Sequence, residues 1–193
     1  MPDQSAELQD HPGNDGVWTF VFIDMIVFSL IFMVFLSEKW RLPALFLADA
    51  RLLDFRFGLA NTLILLTSSL FMAQGVLAAR AGEAVRVQNQ LRLCLVCGAA
   101  FCLSKFTEYS AKLTDGFSPA KDPFFSLYYF ITGAHLLHVL AGMIFILHCQ
   151  AVVRAKPVDG NYVRKLESTG LFWHFVDLVW LFIFPLFYLV GAV

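Results

Sequence analysis

Six polar side chains inside apolar stretches of this chain fall into three pairs with one spacing: Lys105 and Glu108, His135 and His138, His174 and Asp177. Three residues apart on an α-helix means one shared face. Asp24 stands alone in a fourth stretch, His148 lies near the end of the His135 stretch, and Glu167 comes shortly before His174. Carboxylates, imidazoles and an amine in such surroundings suit three kinds of chemistry. They can ligate a metal or haem, relay protons, or pair with one another between helices. Each charge is expensive in hydrocarbon unless it is paired or turned towards another helix. The stretch LFWHFVDLVWLFIFPLFY at 171–188 states this demand most plainly. Its His174–Asp177 face requires a helical partner with matching polar groups.

The elements that must position these residues follow from composition. The chain has 193 residues, 59% of them hydrophobic, with a mean hydropathy of +0.68. A soluble domain of this size has too little polar surface to cover so much apolar material. Five apolar runs are separable, at about 17–37, 58–79, 91–113, 124–153 and 171–193. A bilayer core of about 30 Å takes about 20 helical residues. Lipid permits only helices or closed barrels, and runs this long are not alternating strands. The expected fold is all-α: a polytopic membrane protein whose five transmembrane helices form one bundle, domain 17–193, after a flexible N-terminal tail at 1–16. A net charge of −1 and the lack of a basic cluster beside aromatics in a soluble segment exclude nucleic acid as a partner.

The tail carries Asp3, Glu7, Asp10 and Asp15 and no Lys or Arg, the wrong sign for a signal peptide. Asp24 then falls about 10 Å into the first run, where an isolated carboxyl is either a proton-exchanging group or a protonated acid hydrogen-bonded to a neighbouring helix. The mixed segment 38–57 suits a short helix lying in the interface. Asn61 and Thr62 open the second run, and Thr67, Ser68 and Ser69 offer small hydroxyls for close packing. Cys94, Cys97 and Cys102 crowd the third run. Without a second CxxC they read as small hydrophobes. Residues 154–170 read as the final loop, and Pro185 is expected to kink the last helix and free a carbonyl near Leu181.

Three classes of function compete. A dimetal site needs several Glu and Glu-x-x-His pairs, and this chain has one membrane Glu and no such pair. A haem needs axial ligands at matched depth, for which only His148 and His174 are level. A transporter or proton channel suits the acids and histidines, yet no inverted repeat or paired broken helices are visible. In the third class, a structural or accessory subunit, the polar groups pair among helices and the outer faces meet lipid and a larger partner.

The patterns at several positions resemble the subunit III family of the haem-copper oxidases, over nearly the whole chain. FWHFVDLVW at 172–180 looks like that family's last-helix signature, and TGAHLLHVLAG at 132–142 resembles its TGxHxxHVxxG motif. Glu108–Tyr109 matches an EY pair, Asp24 falls where most members have a membrane Glu, and Glu167 matches a family acid. The two first helices of the seven-helix members are missing here. The five-helix form resembles quinol oxidase subunit III and the NorE-type accessory protein of nitric oxide reductases. Lys105, Asn61–Thr62 and IFPLFYL near the end look closer to the NorE type.

The resemblance implies a non-catalytic accessory subunit with no cofactor of its own, packed on a catalytic subunit that holds haem and metal. That partner belongs to a haem-copper oxidase or a nitric oxide reductase. It implies phospholipid binding, support of the partner's integrity and a place near its proton uptake. It also implies a bacterial inner membrane, with a cytoplasmic N-terminus and a periplasmic C-terminus. Asp24, Glu108, His135, His138, Glu167, His174 and Asp177 carry over as the polar positions, joined by Lys105 as an ion-pair partner for Glu108. Glu108, Lys105 and His135 are expected to form one hydrogen-bonded cluster.

Overall fold

The computed structural model describes residues 15–190, and among them every regular element is helical. The order is α1 (Asp15–Arg41), α2 (Pro43–Ala50), α3 (Phe55–Arg80), α4 (Ala84–Thr114), α5 (Pro123–Ala155) and α6 (Gly160–Phe184), the last running into a turn of π-helix at Pro185–Leu189. Five of these are long and apolar enough to cross a membrane. The tail expected at 1–16 lies outside the described residues except for 15 and 16, which already belong to α1.

The helices overrun the apolar runs that announced them. At 1.5 Å per residue the 31 residues of α4 span about 46 Å, well beyond a hydrocarbon core of about 30 Å. Polar residues end a membrane run without ending a helix. The clearest correction is at 154–170, read as a loop: only 156–159 interrupt the helices, and α6 starts at Gly160. The start is fixed by Asp159, whose carboxylate accepts the Tyr162 N–H at 2.7 Å. Asp122 caps α5 in the same way through Phe125 at 2.9 Å, with Pro123 in the first turn. Asp54 caps α3 through Arg56 at 2.8 Å. Gly82 (φ 73°) and Gly116 (φ 84°) take the left-handed conformation after α3 and α4 that a side chain disfavours.

Successive spans run antiparallel. Ser68 meets Cys94, Lys105 meets Tyr128, and Cys149 meets Thr169. The last helix organises the core: 56% of its most apolar window is buried, against 11% for α1 at the periphery. Close approach is built on glycine. A Cβ at Gly142 would stand 2.6 Å from the Trp173 ring, and one at Gly58 would stand 2.6 Å from the Tyr188 ring. Pro185 ends α6, and the helix continues without a break in sequence as a turn of π-helix. The chain absorbs it in the π turn, which carries Phe187 and Tyr188 into the core.

Candidate functional site

Two polar centres lie inside the bundle. The first grows from the i, i+3 pair on α4. Lys105 Nζ donates to Glu108 Oε2 at 2.8 Å, and the two side chains are 0% and 4% exposed. The same ammonium donates to the hydroxyls of Tyr128 and Tyr188, each at 3.0 Å. Tyr188 in turn donates to Glu108 Oε1 at 2.7 Å. One buried pair thus ties α4, α5 and the π turn together. Tyr109, Tyr128, Trp180 and Tyr188 present ring faces 4.8–5.7 Å from the ammonium, so its charge is also met by aromatic quadrupoles.

His135 is not in this cluster, contrary to expectation. Its ring is fully buried between Phe101 (5.6 Å) and Trp180 (5.2 Å), and neither nitrogen has a hydrogen-bond partner. Depth explains the difference. Tyr128 lies five residues after Pro123 and reaches Lys105 directly, whereas His135 stands two helical turns further along α5. The spacing of Tyr128, Thr132 and His135 along one face was a legible signal for the tyrosine. Tyr188, 80 residues from Glu108, gave no local sign.

The second centre joins α1 to α5. His138 Nε2 stands 3.1 Å from Asp24 Oδ2, off the line of an ideal hydrogen bond. His138 Nδ1 lies 2.8 Å from the Ala134 carbonyl oxygen. A carbonyl can only accept, so Nδ1 carries a hydrogen. With a hydrogen on Nδ1, a neutral His138 turns the lone pair of Nε2 towards the Asp24 carboxyl. Beside them a groove of about 520 Å³ runs between α1, α5 and α6, with Val17, Phe20, Leu137, Phe172 and His138 among its walls.

The last-helix pair faces Ser69 on α3. His174 Nδ1 is 2.5 Å from Ser69 Oγ on α3. Asp177, 5% exposed, lies beside the same Ser69 hydroxyl, although neither carboxyl oxygen makes a well-aligned hydrogen bond. Two more bonds complete the α3–α6 seam: Trp173 Nε1 donates to Ser68 Oγ and Trp180 Nε1 to Thr62 Oγ1, each at 3.0 Å. The hydroxyl run read as packing thus supplies partners for the signature helix. Glu167 is held by Arg80 at 2.7 Å, linking the end of α3 to α6. His148 is exposed. Among the described residues no three His, Cys, Asp or Glu side chains converge as a metal site would require. Cys94, Cys102 and Cys149 are buried free thiols.

Outside the spans, Asp49 on α2 stands 3.4 Å from Lys121. Burial, with the nearby Asp122 carboxylate adding to it, pushes the Asp49 carboxyl above its usual range, and Lys121 offsets only part of this.

Residues 13–192 match the family model described as cytochrome c oxidase subunit III. The cytochrome bo(3) ubiquinol oxidase subunit 3 of Pseudomonas aeruginosa is 28% identical over 185 residues, 95% of this chain and 88% of that protein. The cytochrome c oxidase subunit 3 of Bacillus sp. strain PS3 is 25% identical over 204 residues, 100% of this chain and 92% of that one. The heme-copper oxidase subunit I+III of Aeropyrum pernix is 26% identical over 187 residues, which take up 92% of this chain and 22% of that longer protein.

Proposed function

This chain belongs to the cytochrome c oxidase subunit III family, and from that premise we propose that it is an accessory subunit that supplies protons and binds lipid beside the catalytic subunit of a haem-copper oxidase superfamily complex. The observation that carries the reading is the Asp24–His138 contact. It sets a carboxyl 3.1 Å from an imidazole nitrogen, inside the membrane span and beside an open apolar groove. Such a pair takes up and releases a proton without leaving a permanent buried charge. Ala134 fixes the ring orientation through Nδ1, and Phe28 packs its edge against the ring at 5.4 Å. The groove beside the pair suits a lipid acyl chain, because its walls are almost wholly apolar and it lies within the spanning segments.

The partner is a subunit I type catalytic chain, which carries the haem and metal; this chain's own residues offer polar contacts and packing. The Aeropyrum relative, whose name joins subunits I and III in one protein, supports this partner. The named relatives favour an oxidase. A nitric oxide reductase partner rests on Lys105, Asn61–Thr62 and the IFPLFYL end. The N-terminus lies in the cytoplasm of a bacterial cell and the C-terminus in the periplasm. Asp24→Asn tests the proton role, because it keeps shape and hydrogen bonding but removes titration. The assembled complex is expected to keep its haem spectrum and to turn over more slowly, most visibly at high pH. Turnover equal to wild type from acid to alkaline pH would leave Asp24 a packing role only.

A further inference from the structure

One face of α5 carries a polar stripe at helical spacing: Tyr128, Thr132, His135 and His138. It rises about 15 Å from first to last. Three of its four members are matched. Tyr128 bonds Lys105 at 3.0 Å. Thr132 Oγ1 donates to the Tyr128 carbonyl at 2.5 Å, so its 2.6 Å contact with Tyr109 has the phenol as donor. The Tyr109 oxygen keeps lone pairs free to accept. His138 meets Asp24 at 3.1 Å. The unmatched member is His135, as deeply buried as Tyr128, at 0% exposure with both ring nitrogens unpartnered. A neutral imidazole there offers one donor and one acceptor, and burying both unmet is costly. Neighbouring side chains do not relieve it. Phe101 has no polar atom, and the Trp180 N–H is committed to Thr62. Asn61, also deep in the bundle, is likewise buried with its side-chain polar atoms unmatched. Buried polar groups without protein partners are the ordinary sign of internal water.

We infer that internal water binds at His135 and joins the Lys105–Glu108 cluster to the Asp24–His138 pair in one hydrogen-bonded file along α5. The Glu108 end of the file is closed, since Lys105, Tyr128, Tyr188 and Glu108 are all 4% exposed or less. The His138 end borders the groove between α1, α5 and α6. The file therefore extends the proton-exchanging pair inwards as a store that fills and empties from one end. This deepens the reading of Asp24 as a proton-exchanging group and rests on it.

The test is water-edited solid-state NMR on the whole chain in bilayers, with histidines labelled with 15N. His135 is assigned by loss of its signal in His135→Phe. If that variant does not fold, His11→Gln, His138→Gln, His148→Gln and His174→Gln, made one at a time, assign it by elimination among the five histidines. Magnetisation is expected to pass from water to the His135 ring about as readily as to the exposed His148. A His135 ring that receives none while His148 does overturns the inference. The two readings fail separately. A dry His135 with a slow Asp24→Asn complex removes the file alone. A wet His135 with an Asp24→Asn complex of wild-type turnover removes the proton role and leaves structural water.

Discussion

Removing one partner of the Lys105–Glu108 pair should be far worse than removing both. Glu108→Ala deletes the carboxylate that accepts from Lys105 at 2.8 Å and from Tyr188 at 2.7 Å. Lys105 is 0% exposed and cannot reach water. It keeps two phenol oxygens and the surrounding rings, which soften the loss without supplying a counter-charge. Breaking a buried pair in this way costs about 3–5 kcal/mol. In a chain of this size that corresponds to a fall in Tm on the order of 10 °C. Lys105→Met combined with Glu108→Leu removes both charges and roughly keeps the volume, so it should lose less than Glu108→Ala alone. The four free cysteines, three of them buried, allow unfolding in detergent to be followed with a thiol-reactive dye. A Glu108→Ala protein that melts with wild type, or a double variant at least as unstable as its two single variants combined, would refute the reasoning.

Other expectations follow from single contacts. Gly142→Ala places a Cβ 2.6 Å from the Trp173 ring and should destabilise by about 1–3 kcal/mol. Gly133→Ala meets nothing within 4 Å and should be neutral or stabilising by about 0.5–1 kcal/mol; melting of the two proteins side by side checks this. Asp49 has its carboxyl raised by burial, so its protonated form favours the folded state and its contribution falls as pH rises through the raised value. Asp49→Asn should therefore match wild type in acid and gain on it towards neutral pH in a series of melts. Reporter fusions at the two ends should be active on opposite sides of the membrane, with the N-terminal one cytoplasmic.

The helices were legible because long apolar runs leave lipid-facing backbone little choice. Their ends were not, since the extensions 84–90 and 160–170 are polar and helical at once. Within the site, spacing along one helix could be read, so Lys105 and Glu108 were paired correctly. Contacts between helices depended on depth and on remote residues. Tyr188 reaches Glu108 from the π turn, and Ser69 on α3 meets His174 with Asp177 beside it. Asp24 was singled out because no Lys or Arg lies in its span. Its partner proved to be a histidine about three-fifths of the chain away, on a helix whose own pattern had suggested a different pairing.

On the proposed function, this chain works as a subunit of a haem-containing complex and carries no redox centre itself. Purification of the tagged chain from its native membranes in mild detergent, with an optical spectrum and mass spectrometry of the eluate, tests it most directly. A Soret band that travels with a subunit I type catalytic chain, and is missing when the tagged chain is expressed alone, is the expected result. A chain that elutes without such a partner, or that alone brings haem, iron or copper in stoichiometric amount, would contradict it.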